Sequence, residues 1–263
     1  MKSFAIVLAA ALVCAAAVPV SAAERLTDKQ VNAIVDNLVR GFDKWKNALE
    51  RKNLDDAIIT NAAGKIEVKK FLKDFESEMS LVRQRLNADY AAGGEITTML
   101  RRASDVEKRA QQPGANPLPE WKELAGQLAA LATAYGVTLP LASSDAAAAR
   151  MTDKDVIARL DDIDRLAQRV ASETDKAMKQ AKAAAADRDK SKQAMKALAE
   201  TAKRTKSMVQ QSTATTAQVG ELIKAWEAAT ATIGGVTLEG PAKTAQLSLD
   251  AAVANVKKAF GVA

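Results

Sequence analysis

The sequence predicts an all-α fold: helical hairpins packed as one or two bundles, with a long coiled-coil-like helix in the C-terminal half. Three observations predict it. Apolar residues recur at three- and four-residue spacing along most of the chain, the signature of amphipathic helices. The 263 residues include only 12 Gly and 6 Pro, too few for a fold built from many tight turns. Alanine, a strong helix former, occurs 56 times; it buries little area, so the 48% hydrophobic content overstates the core.

Residues 1–23, MKSFAIVLAAALVCAAAVPVSAA, have the form of a cleavable signal peptide. Lys2 supplies a basic start, Phe4 to Val18 an uncharged apolar stretch, and Pro19 a break before small residues. The stretch is short for a bilayer span of about 20 residues. Cleavage is expected after Ala22 or Ala23, which makes the protein periplasmic or secreted. Cys14 as a lipidated cysteine is the competing reading, but Ala11, Leu12 and Val13 stand in the wrong order for it. Removal of the segment takes away the lone Cys and one charge, leaving a mature net charge of +5 from +6 and no His. Imidazole and thiolate metal sites, and Ser-His-Asp or Cys-His nucleophiles, are thereby excluded.

The first helix is expected over 28–51, with Val31, Ile34, Val35, Leu38, Phe42, Trp45 and Leu49 forming its apolar stripe. A short amphipathic turn or helix follows at 54–63, then a second long helix over 66–90 ended by Gly93-Gly94. A helix over 95–111 runs into the proline-rich loop 111–119, and another covers 120–135. The extended segment 137–145 divides the chain. We therefore expect a signal peptide (1–23), an N-terminal helical lobe (24–140), a linker (141–150) and a C-terminal helical lobe (151–263).

In that second lobe a heptad seam runs from Val156 through Leu160, Ile163, Ala167, Val170 and Thr174 to Met195, Leu198, Ala202, Thr205 and Val209. It predicts one long helix in coiled-coil packing, with a bend or break near 183–191, where the seam is small or polar. Helices over 211–233 and 242–260 complete the chain, separated by Gly234-Gly235. Two short matches raise an internal repeat. Leu26-Thr-Asp-Lys-Gln-Val31 resembles Met151-Thr-Asp-Lys-Asp-Val156 at an offset of 125, and Gly136-Val-Thr-Leu139 resembles Gly235-Val-Thr-Leu238 at an offset of 99. The two offsets disagree.

Candidate chemistry is sparse. Thr27-x-x-Gln30 and Thr152-x-x-Asp155 have the spacing of capping boxes, which satisfy free amides at helix starts. Leu26-Thr27-Asp28-Lys29-Gln30 also resembles the LTxxQ motif of the Spy-like periplasmic chaperones, over five residues. That resemblance implies a helical cradle that holds unfolded clients without ATP. Residues 176–206 carry ten basic side chains: Lys176, Lys179, Lys182, Arg188, Lys190, Lys192, Lys196, Lys203, Arg204 and Lys206. Only Asp187, Asp189 and Glu200 oppose them. This is either a helix that binds an anionic polymer or a solvated lysine-rich face; the absence of aromatics weakens a nucleic-acid reading. Asp153, Asp155, Asp161, Asp162 and Asp164 cluster at a helix start, where capping and solvation account for them without a calcium loop. Trp45, Trp121 and Trp226 lie on amphipathic helices as core anchors or, alternatively, an aromatic platform.

No catalytic, cofactor-binding or metal-binding residue is assigned, and no cofactor is expected. The leading expectation is an exported, non-enzymatic interaction or structural protein of the cell envelope. It would engage a protein partner or itself through helix faces, with no transmembrane span after signal cleavage. A client-binding chaperone and a polyanion binder are the alternatives.

Overall fold

The computed structural model describes residues 25–61, 64–113, 115–142, 144–233 and 237–262. The proposed signal peptide with Cys14, the Gly234-Gly235 stop and the start of the second Gly-Val-Thr-Leu copy lie outside them. Eight helices and one β-hairpin make up the described residues: α1 (Asp28–Arg51), β1 (Ile58–Asn61), β2 (Gly64–Glu67), α2 (Val68–Asn87), α3 (Gly93–Ala110), α4 (Pro119–Ala134), α5 (Asp153–Gln180), α6 (Ala185–Gln210), α7 (Thr216–Ile233) and α8 (Gly240–Ala259). The protein is all-α, a helical-bundle architecture.

The helices form two closed rings. In each, every helix packs on the next and the fourth returns to the first: α1-α2-α3-α4, then α5-α6-α7-α8. Each ring encloses its own apolar core, one around Phe42, Phe75, Leu100 and Leu131, the other around Ile163, Leu198, Leu222 and Val256. Neither apolar stripe can remain in water, and four stripes facing one axis bury all of them.

One local expectation is sharpened and two are corrected. The break expected near 183–191 falls at 181–184, and the chain doubles back there, so the seam packs on itself: Val156, Leu160 and Ile163 of α5 share a core with Leu198, Ala202 and Val209 of α6. A helix with a small, polar mid-seam gains little by staying extended, whereas reversal buries both ends. The stretch expected as a helical turn contains β1, paired antiparallel with β2 (Ile59 opposite Ile66). The β-branched Ile58-Ile59-Thr60 favours strand, and four residues are too few to display an alternating period. Gly93-Gly94 opens α3 instead of ending α2, which stops at Asn87. A Cβ on Gly93 would lie 2.5 Å from the Ala148 carbonyl, so glycine is needed for close approach there.

The segment 141–148 lies along α3. Ser104 Oγ accepts from Leu141 N (2.6 Å), and Thr97 Oγ1 accepts from Ala148 N (2.8 Å). Each hydroxyl also donates to its own helix carbonyl, Leu100 O and Gly93 O respectively. Leu141 and Ala148 are buried in the first core.

The two halves repeat one another in register. Val31, Val35, Leu38, Phe42, Trp45 and Leu49 face the first core; 125 residues on, Val156, Leu160, Ile163, Ala167, Val170 and Thr174 face the second. The same offset relates Leu124, Leu128, Leu131 and Tyr135 to Leu249, Val253, Val256 and Phe260, all buried. α4 and α8 even end alike. Gly136 (φ 69°) and Gly261 (φ 61°) adopt the left-handed conformation. Val137 N then reaches Ala132 O (3.0 Å) and Val262 N reaches Lys257 O (3.1 Å), a Schellman cap in both bundles. The Gly-Val following α4 therefore matches Gly261-Val262, not residues 235–236. This correction removes the conflict of offsets: the second half replaces the connection between α1 and α2 by the short turn 181–184 and lengthens the helices on either side, so the offset is again 125 at α8.

Candidate functional site

The densest buried ionic chemistry lies where α1 and α5 begin side by side. Thr27 and Thr152 cap these helices as expected: Gln30 N donates to Thr27 Oγ1 (3.3 Å) and Asp155 N to Thr152 Oγ1 (3.0 Å). Capping frees the first helical residue of each, Asp28 and Asp153, for the other half. Asp28 N donates to Asp153 Oδ2 (2.9 Å), and Asp153 N donates to Asp28 Oδ2 (2.8 Å). Each aspartate thus caps the opposite helix, where the helix dipole favours a carboxylate.

Two arginines complete the exchange. Arg25 donates to Asp153 Oδ1 (2.6 Å) and to Met151 O (2.8 Å). Arg150 donates to Asp28 Oδ1 and to Leu26 O (2.8 Å). Their side chains are only 6% and 4% exposed. The bonds are reciprocal in every particular, giving a clasp with local two-fold symmetry between the bundles. Burial, with the neighbouring Arg150 charge, lowers the Arg25 pKa, and Asp153 works against that shift. Arg25 also lies over the Phe260 ring, 5.4 Å from its centroid. Tyr135, at the equivalent place in the first bundle, donates to Ala91 O (2.6 Å). Burial pushes its phenol up to about 12.

A cleft of about 820 Å³ opens beside the clasp, lined from both halves by matched residues: Arg25 with Arg150, Leu26 with Met151, Gly136 with Gly261. Arg159 and Lys258 add positive charge, against Asp155. Among the described residues no three His, Cys, Asp or Glu side chains gather as a metal site.

The sequence-predicted basic residues fall on two antiparallel helices and the turn between them. Most meet carboxylates: Lys176 with Glu173, Lys179 and Lys192 with Asp175, Lys196 with Glu200, Lys203 with Asp164, and Lys206 with Asp161. Lys179 foremost, with Lys192, holds the Asp175 carboxyl below its ordinary range. Arg204 reaches the Thr201 hydroxyl, while Lys182 and Lys190 are exposed near the turn and Arg188 is half-buried. The aspartate cluster disperses: Asp153 enters the clasp, Asp155 caps, Asp162 meets Arg159 and Arg165, and Asp161 and Asp164 bind α6 lysines. Trp45 and Trp121 are core residues; Trp226 is half-buried, its Nε1 donating to Asp250 (2.9 Å).

Sequence reasoning missed Arg25, Asp28 and Arg150. Asp28 lay inside the repeated motif, and the two arginines one residue before it: the match extends to Arg25-Leu-Thr-Asp-Lys and Arg150-Met-Thr-Asp-Lys. What a motif does not display is that the two copies bond to each other.

Fold and site together define an all-α protein of two repeated four-helix bundles joined by a reciprocal arginine–aspartate clasp. Comparison with protein-family models, curated proteins and solved structures finds no match for this chain.

Proposed function

We propose that the chain is an exported, non-enzymatic interaction protein of the periplasm or cell envelope, which binds a protein partner through its helix faces. The observation that carries this reading is the clasp. Its buried charges are consumed in holding two bundles at a set relation, the requirement of a scaffold that presents two helical surfaces at once. Asp28 and Asp153 are fully engaged by backbone amides and guanidinium groups, which leaves neither poised as a general base. No helix of the described residues is long and apolar enough to cross a membrane.

The chaperone alternative has less support. Among the described residues, the exposed large apolar side chains Leu54, Ile58, Leu81, Tyr90 and Leu247 sit on five different segments, which lends a cradle little support. The polyanion alternative is weakened by the carboxylates facing most of the lysines on α5 and α6, though Lys182 and Lys190 remain available at the turn.

In-cell crosslinking of the tagged protein, with mass spectrometry of captured species and of its own N-terminus, tests the proposal. The expected result is one or two stoichiometric envelope partners and a chain starting at Ala23 or Glu24. A broad set of unfolded clients would replace it with the chaperone reading. Capture of anionic polymer that dissociates with rising salt would replace it with the polyanion reading.

A further inference from the structure

We propose that the first bundle carries a binding site for a small aromatic carboxylate, at the end of the bundle remote from the clasp. Ile66, Val68 and residues 115–118 border a cavity of about 260 Å³ there. Its walls include Trp45, Leu49, Phe71, Val106, Leu118 and Trp121. The aromatic wall is rigid. The rings of Trp45 and Trp121 lie 4.8 Å apart, Trp45 meets Phe71 edge-on at 6.0 Å, and Trp121 Nε1 is anchored to Glu107 Oε2 at 2.9 Å. Trp45, Leu49 and Phe71 keep 6–7% exposure, whereas Phe42 and Phe75, one turn or so deeper, keep 1% or less.

One charged group enters this apolar lining. Arg109 borders the cavity, and its Nε is buried without a hydrogen-bond partner among the described residues. The side chain makes no ion pair with any other described residue, unlike Arg102 seven residues earlier on the same helix, which meets Asp74 and Glu78. A buried donor without an acceptor calls for one, and a guanidinium edge is matched to a carboxylate in bidentate geometry. An apolar cavity of this size with a single cation at its border suits one ring, its short chain and one acid group. The second bundle has Val170 and Thr174 where the first has Trp45 and Leu49, so the site belongs to one half of the repeat.

Calorimetric titration of the full mature chain with 4-phenylbutyrate, and with the neutral 4-phenylbutanol, tests the site. One equivalent of the acid is expected to bind with Kd below about 1 mM. Arg109→Gln should weaken the acid about tenfold and the alcohol less than about twofold. Ala110→Phe, which fills the cavity from its wall, should abolish both at an unchanged melting temperature. If that variant melts early, Ala115→Phe on the exposed loop serves in its place. No binding of the acid at millimolar concentration overturns the proposal, as does binding that both substitutions leave unchanged. The result is independent of partner capture in cells, so either reading can fail alone.

Discussion

The two bundles share one frame and fill it differently. At matched positions the first carries Phe42, Trp45 and Leu49, the second Ala167, Val170 and Thr174. The first is held by an aromatic stack: Phe42 on Phe75 at 5.4 Å, Phe75 on Phe71 at 5.5 Å, Trp45 on Trp121 at 4.8 Å. The second brings α5 and α6 together over small residues and ties them by ion pairs along the outside, Lys206 to Asp161 and Lys203 to Asp164. The difference teaches that a ring of four helices tolerates either solution while the buried register is kept. Large side chains hold helices apart and leave a cavity at one end of the first bundle; small ones let α5 and α6 approach and shift stabilisation toward the surface.

Truncation at one matched pair should expose this contrast most strongly. Trp45→Ala is expected to cost about 3–5 kcal/mol and Val170→Ala about 1–2 kcal/mol, measured by urea unfolding. Equal losses would show that the two cores are energetically alike. The clasp is the next largest effect. Arg150→Ala leaves Asp28 without its guanidinium and should remove about 2–4 kcal/mol, the carboxylate being partly solvated. It should also split one unfolding transition into two, as each bundle melts alone. A single transition at the native midpoint would mean the bundles are joined by something else.

Tyr135 and Phe260 offer a comparison by pH. Tyr135 holds its proton more tightly folded than unfolded, up to about 12 against an ordinary value of 10. The stabilisation is therefore full below pH 10 and lost between pH 10 and 12, by about 2 kcal/mol. Tyr135→Phe, which makes the first bundle resemble the second, should flatten that alkaline slope in melting curves. The smallest effect lies on the α5–α6 surface. The Asp175 carboxyl is held low, so its contribution is present above its ordinary value and fades as pH falls through the depressed folded value. Asp175→Asn should remove this part of the acid transition, seen in melts between about pH 2 and 5; an unaltered acid slope would assign it to other carboxylates.

Much of this was legible residue by residue. The 28–51 expectation for the first helix coincides with α1, because Thr27 caps it and the stripe is continuous. The Thr27 and Thr152 caps were readable for the same reason: both partners lie three residues apart. The seam from Val156 to Val209 is legible as an apolar stripe with a weak point near 183–191, but its heptad spacing does not say that its two halves pack on each other. The interruption is legible from the small, polar seam, but that it is a tight reversal is not, because no Gly or Pro marks it; Lys182 takes the positive φ (53°) instead. Arg109 and the cavity were invisible, since the walls come from α1, α2, α3 and α4 and from two connections.

By itself the sequence determined the helical class, the two Thr caps and the apolar stripes of α1 and of the seam, because these depend on residues within a turn or two of one another. Tertiary structure alone decided that the seam closes on itself, that the copies 125 residues apart exchange their aspartates, and that an arginine whose buried Nε has no partner among the described residues borders an aromatic cavity. Those outcomes depend on which apolar stripes meet, and burial drives stripes together without specifying partners. Register and reciprocal hydrogen bonds then select one arrangement from the many that bury similar area.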